Sequence, residues 1–185
     1  MKVAINGFGR IGRIVFSLLE EVDNVEVVAI NDLTSAKELA YLLKYDSVHR
    51  KSNYIVGYDE DYLLINDKRI KVFNEANIDD LPWKELGIDY VLECTGKFTK
   101  EDLALKHIEA GARKVIVSAP CKGDVKTIVY NVNENILDGN EKVISAASCT
   151  TNCLAPVLKV LDDNFKVLRG FMTTIHAYTN DQVIL

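Results

Sequence analysis

The run Gly7-Phe8-Gly9-Arg10-Ile11-Gly12, set between an apolar segment and an amphipathic one, constrains this chain more than any other feature. Each glycine has its own physical reason. Gly7 permits a tight turn, Gly9 lets backbone approach a pyrophosphate with no side chain between, and Gly12 allows a helix to sit close to a strand. The pattern follows a strand predicted over 2–6. It opens a helix whose apolar residues Ile11, Ile14, Val15, Leu18 and Leu19 form one stripe, predicted to pack on the sheet. Asp32 stands 20 residues beyond Gly12 at the end of the second strand, where it would accept from ribose hydroxyls and repel a 2′-phosphate. The context reads as a dinucleotide site on a helix N-terminus, with NAD favoured over NADP. The competing reading is a glycine-rich turn with a solvated acid on the next loop.

Further along, short apolar strands alternate with amphipathic helices, the pattern of parallel strands joined by right-handed crossovers. Strands are predicted over 25–31, 90–94, 114–118, 127–132 and 143–146, and helices over 35–44 and 100–110, the latter stopped by Gly111. Residues 62–73 read as a hairpin turning at Asn66-Asp67, and the Pro82-Trp83 region as a connector. The last strand delivers the chain to Ser148.

The 27 acidic and 22 basic residues are scattered, which argues against a nucleic-acid partner and for an ordinary soluble protein. Met1-Lys2 leads directly into a strand with no cleavable apolar region, and no apolar run is long enough to cross a bilayer, so a cytoplasmic location is expected. Four cysteines, unevenly spaced, do not make a disulfide framework, and reduced thiols are the default.

One of those thiols has informative neighbours. Cys149 follows Ser148, a good N-cap, and Thr150, Thr151 and Asn152 bring free amides and hydroxyls into the first helical turn. A helix N-terminus lowers a thiol pKa, and the Cys149 amide could steady an oxyanion at a carbonyl under attack. His176 ends the apolar run 171–175, where a strand would emit its side chain into a cleft beside the cysteine. The bland alternatives are a core cysteine and a satisfied histidine. Cys153, four residues on, reads as packing rather than half a metal or redox pair. His107 reads as lying on the outer part of a charged helix and His49 as part of a solvated basic cluster.

Ile5-Asn6-Gly7-Phe8-Gly9-Arg10-Ile11-Gly12-Arg13, Ile30-Asn31-Asp32, Glu93-Cys94-Thr95-Gly96, Val117-Ser118-Ala119-Pro120, the Ser148 to Cys153 block and Thr174 to Asp181 closely resemble the phosphorylating, glycolytic type of glyceraldehyde-3-phosphate dehydrogenase. The resemblance runs the whole length. It implies an α/β fold with a Rossmann-type doubly wound, mostly parallel sheet over 1–148, followed over 149–185 by the incomplete start of an α+β catalytic domain. It implies Cys149 as nucleophile and His176 as its base. Gly7, Gly9, Arg10, Ile11, Gly12 and Asp32 would hold NAD, with Thr95, Gly96, Phe98 and Ser118 lining its path. Ser148, Thr150, Thr179 and Asp181 would help build sites for the substrate phosphate and inorganic phosphate. No metal is implied, and the family is a homotetramer. An erythrose-4-phosphate dehydrogenase, or a semialdehyde dehydrogenase with the same cysteine logic, is the alternative among enzymes, and an NAD-binding module without turnover the alternative outside them.

Two departures bear on these expectations. Glu75-Ala76-Asn77 offers no arginine where the family usually has one against the cofactor. The family also continues past Leu185 for about as many residues again, including an arginine for the phosphate sites and an asparagine that orients the nicotinamide. A strand over 167–178 without sheet partners would expose apolar edges, which predicts aggregation, a partner that supplies the rest, or a remainder outside this sequence.

Overall fold

A computed structural model describes residues 1–179. In chain order the elements are β1 (Lys2–Asn6), α1 (Arg10–Leu19), β2 (Glu26–Asn31), α2 (Ala36–Lys44), β3 (Tyr45–Asp46), β4 (Arg50–Lys51), β5 (Val56–Asp59), β6 (Tyr62–Ile65) and β7 (Lys68–Phe73). A 3-10 turn at Ile78–Asp80 then leads into α3 (Trp83–Leu86), β8 (Tyr90–Glu93), α4 (Glu101–Glu109), β9 (Lys114–Val117), β10 (Lys126–Thr127), β11 (Val143–Ser145) and α5 (Cys149–Phe165).

Among the described residues, nine strands form one sheet in the order β10-β11-β9-β8-β1-β2-β7-β6-β5. From β10 to β7 every pairing is parallel, and β7, β6 and β5 close the far edge as an antiparallel meander. The chain starts in the middle of the sheet, winds outward through β2, then crosses back through β8 and β9, so the strand order reverses beside β1. Neighbouring residues on a strand face opposite sides. Ile5 and Ile30 join α1 and α2 in one core, with Phe16, Leu39 and Leu43, while Ala4 and Ala29 join Trp83, Ala104 and Ile88 in the other. The sheet is therefore covered on both faces, as a doubly wound, mostly parallel fold requires.

Several sequence expectations are corrected. The buried residues of α1 are Gly12 and Phe16, while Ile11, Ile14 and Leu18 stand exposed. The close approach of Gly12 to β1 turns the helix so that Phe16, edge-on to Phe8 at 5.8 Å, takes the core. Of the strand expected over 127–132 only Thr127 pairs, together with Lys126 before it. Beyond Thr127 the chain turns, with Asn131 at φ 60° and Asn133 bonded to the Val129 amide and the Thr127 carbonyl. The connector carries a short helix whose Trp83 is fully buried. Residues 166–179 form no strand and are exposed, because no described segment lies beside them to accept a ladder. Cys153 is exposed rather than packed. His107 is fully buried: α4 presents it to the sheet along with Ala104.

Candidate active site

Parallel strands deliver their C-terminal ends to one edge of the sheet, and ligands of such sheets bind at that edge where the strand order reverses. The glycine turn follows β1, Asp32 follows β2, Thr95 follows β8, Ser118 follows β9 and Cys149 follows β11. Strand spacing of about 4.8 Å puts β11 about 14 Å from β1.

A cleft of about 330 Å³ opens beside β1, lined by Gly7, Gly9, Asp32, Ala76, Thr95 and Phe98 among others. Gly7 has φ 89°, and a Cβ on it would lie 2.7 Å from the Thr95 amide nitrogen. A Cβ on Gly12 would meet the Gly7 carbonyl oxygen at 2.1 Å, whereas one on Gly9 would meet nothing within 4 Å. Two glycines are thus needed by the fold, and the third leaves bare backbone facing open space at the start of α1. That cradle suits an anionic pyrophosphate, whose charge the unpaired amides of a helix N-terminus favour. Asp32 lies at the cleft wall, where its carboxylate accepts from the Phe8 amide at 2.7 Å and the Thr34 amide at 2.9 Å. Those bonds hold it beside the glycine turn with lone pairs to spare for ribose hydroxyls.

The remaining expected cofactor residues lie outside the cleft lining. Arg10 pairs with Asp46 at 3.2 Å, Ile11 is exposed, Gly12 is tucked beneath the turn, and Gly96 sits at φ 73° in the loop after Thr95. Ser118 bonds the thiol of Cys94, a residue of the cleft lining; burial pushes that thiol up to about 11, the hydrogen bond opposing it. Glu75 and Ala76 line the cleft where the family's arginine was expected and missing.

The second group of residues gathers at the start of α5. Ser148 caps the helix, its Oγ accepting from the Thr151 amide at 3.0 Å. Ala147, just before it, is held at φ 61°, a strained left-handed conformation, by the bond from its amide to Ser145 Oγ. Asn152 ties the turn back through its amide to the Ala146 and Ser148 carbonyls at 2.7 and 2.9 Å. Cys149 therefore stands at the first helical position, exposed, with its Sγ 3.2 Å from His176 Nε2. His176 Nδ1 donates to the Ala177 carbonyl, which leaves Nε2 facing the sulfur. The bond to His176, then those from the Thr150 hydroxyl and amide, lower the thiol pKa, and the Ala177 carbonyl followed by Cys149 raises that of the imidazole. Both directions favour a thiolate facing an imidazolium. A cysteine sealed in the core is excluded, although His176 reaches it from an irregular segment rather than a strand. Thr179 lies in that exposed segment, and Asp181 lies outside the described residues.

Sequence reasoning missed a set of buried polar residues: Asn6 and Asn31 in the cleft lining, and Glu93 and His107 behind it. The signal was available, since each of the first three ends an apolar strand with a group that burial obliges to find a partner. Among the described residues no group of three or more His, Cys, Asp or Glu gathers as a metal site, and no helix is long and apolar enough to cross a membrane.

Comparison with known proteins finds relatives along the whole chain. Residues 1–101 match the family model described as glyceraldehyde 3-phosphate dehydrogenase, NAD binding domain, and residues 148–185 match that of the C-terminal domain of the same family. The chain is 61% identical over 181 residues to a glyceraldehyde-3-phosphate dehydrogenase of Clostridium pasteurianum, covering 98% of this chain and 54% of the relative. It is 60% identical, with the same coverage, to one of Clostridium acetobutylicum, and 53% identical to one of Thermotoga maritima, covering 100% of this chain and 56% of that relative. The chain thus spans about half the length of the curated relatives it matches. NAD is the cofactor of the fold that the first of these matches describes. By the extent of these matches, the chain belongs to the glyceraldehyde-3-phosphate dehydrogenase family.

Proposed function

We propose that this chain carries the cofactor domain, over 1–148, and the nucleophile, from 149 on, of a phosphorylating glyceraldehyde-3-phosphate dehydrogenase. The observation that carries the reading is the 3.2 Å approach of Cys149 Sγ to His176 Nε2 at a capped helix N-terminus. Cys149, its proton drawn to His176, adds to the substrate aldehyde, and the Cys149 amide steadies the oxyanion. NAD, when bound, supplies the hydride acceptor. His176 gives the thiol proton to the oxyanion, which completes the hemithioacetal, and takes it back from the hydroxyl as the hydride leaves, so that a thioester remains on Cys149. Inorganic phosphate then attacks the thioester, the C–S bond breaks, and Cys149 departs as a thiolate from an acyl phosphate. Ser148, Thr150, Thr179 and Asp181 are the proposed anion-binding groups. Gly7, Gly9, Arg10, Ile11, Gly12 and Asp32 hold the adenosine and pyrophosphate, with Thr95, Gly96, Phe98 and Ser118 toward the nicotinamide.

The reading includes a cytoplasmic setting, which suits thiols that stay reduced, and a homotetramer at the relatives' full length. Exposed Ile14, Leu18 and Leu42 around a second cleft of about 610 Å³ supply apolar surface for contact between copies. For the 185 residues by themselves, exposed Leu158, Leu161 and Phe165 on α5 favour a second reading, an NAD-holding module without turnover. Rapid mixing of the chain with NAD and glyceraldehyde 3-phosphate separates the two. A burst of NADH abolished by Cys149→Ser supports the enzyme, and NAD binding without a burst supports the module.

A further inference from the structure

Behind the cleft, donors from four directions converge on one buried carboxylate. Glu93 Oε1 accepts from the Thr95 amide at 2.8 Å and from the Thr95 hydroxyl. Its Oε2 accepts from Asn6 Nδ2 at 2.6 Å and faces His107 Nε2 at 3.1 Å. Trp83 Nε1 donates to His107 Nδ1 at 3.0 Å, so that nitrogen is the acceptor and the ring proton lies on Nε2, toward Glu93. Glu93 and His107 are both fully buried, and among the described residues no buried side-chain polar atom lacks a partner.

What this network holds is the wall of the cofactor cleft. Thr95 Oγ1 donates to Glu93 and accepts from the Lys97 amide at 3.0 Å, so one carboxylate fixes the turn that presents Gly96 and Phe98. The Phe98 ring packs edge-on against His107 at 6.2 Å. On the other side Asn6 Oδ1 accepts from Asn31 Nδ2 at 2.7 Å. Asn31 is held independently, giving Nδ2 to the Glu75 carbonyl and accepting the Glu75 amide, each at 2.9 Å. The Asp32 and Glu75 wall therefore keeps its own ties when Glu93 changes, whereas the Thr95–Phe98 wall does not.

We infer that Glu93 and His107 are positioning residues that set the Thr95–Phe98 wall for the nicotinamide half of the cofactor, without touching the cofactor themselves. The inference rests on the assignment of that wall to the nicotinamide half. Glu93→Gln keeps the shape but sets an amide donor against donors. It is expected to weaken NAD about tenfold, the scale of one charge-assisted hydrogen bond, while ADP-ribose, which lacks the nicotinamide, changes less than about twofold. His107→Phe keeps the ring between Trp83 and Phe98 and spares both Thr95 bonds, so it is expected to weaken NAD about threefold, less than Glu93→Gln and on the scale of a neutral bond.

The test is calorimetric titration of the wild-type chain and both variants with NAD and with ADP-ribose, alongside amide hydrogen exchange. Faster exchange at Thr95 and Lys97, with the Cys94 amide unchanged, is the expected signature in Glu93→Gln. Trp83 is the chain's single tryptophan, and its emission is expected to shift in His107→Phe before any ligand is added. Equal loss of NAD and ADP-ribose, or wild-type exchange at Thr95 and Lys97 in folded Glu93→Gln, would overturn the inference. Should Glu93→Gln not fold, unchanged NAD affinity in folded His107→Phe overturns it alone. A wild-type chain that binds ADP-ribose but gains nothing from the nicotinamide overturns instead the assignment of the wall.

Discussion

Alanine at Gly9 and alanine at Gly12 should fail in opposite ways, although the two sites are three residues apart. At Gly12 the added Cβ would lie 2.1 Å from the Gly7 carbonyl oxygen, an obstacle of backbone that cannot rotate away. Overpacking of this kind costs about 3 kcal/mol at the upper end of its usual range, offset by about 1 kcal/mol from replacing a helical glycine. The net loss of about 2 kcal/mol lowers Tm by roughly 4–8 °C in a chain of this size. At Gly9 the added Cβ meets nothing within 4 Å, and φ −71° suits alanine. The loss of a glycine N-cap, about 0.5 kcal/mol, is cancelled by lower unfolded-state entropy, about 0.4–1 kcal/mol. Tm should therefore stay within about 2 °C of wild type. Its methyl nevertheless stands in the proposed pyrophosphate site, and losing one charge-assisted bond there, about 1.5–3 kcal/mol, should weaken NAD roughly 10–150-fold. Thermal melts without ligand and calorimetric titration with NAD measure both quantities. A Gly9→Ala chain that binds NAD like wild type, or a Gly12→Ala chain with an unchanged Tm, would refute the division of labour.

Three other outcomes are expected. Because the bond to His176 lowers the Cys149 pKa, alkylation of Cys149 should persist to lower pH than for an ordinary thiol, and His176→Asn should move the midpoint upward; superimposable pH profiles would dissolve the pair. Cys94, pushed up to about 11 by burial, should be alkylated far more slowly than Cys149 at neutral pH, as peptide mapping would show. Asp32→Gly should narrow the preference for NAD over NADP at least about tenfold, and by losing two amide bonds it should also cost about 2 kcal/mol of stability, read from a urea melt; an unchanged preference would remove Asp32 from the specificity role.

The sequence was most legible where structure is local. The turn after β1, the Ser148 cap and the alternation of parallel strands with helices all follow from residues within a few positions of one another. The strands β3, β4 and β5 escaped notice because two to four residues carry no readable period. The inward face of α1 was misjudged for a different reason. Helical spacing selected Ile11, Ile14 and Leu18, but the near contact of Gly12 with β1 decides the rotation, and spacing holds no record of it. His107 was obscured by its charged neighbours Lys106 and Glu109, and its partners Trp83 and Glu93 are 24 and 14 residues away. The nearness of His176 to Cys149 was anticipated from the residue types and the family resemblance, whereas the irregular backbone that brings it there was not.

The left-handed bend at Ala147 has a wider bearing. Held by Ser145 of β11, whose hydroxyl in turn bonds the Ala119 carbonyl just past β9, it sets the exit direction of α5 through main-chain torsion. The Cys149 sulfur is thereby aimed by the sheet's own edge, like a nozzle fixed to its housing. Strain of about 1–3 kcal/mol at such a corner is then the counterpart of a thiol that is already pointed before any ligand is present.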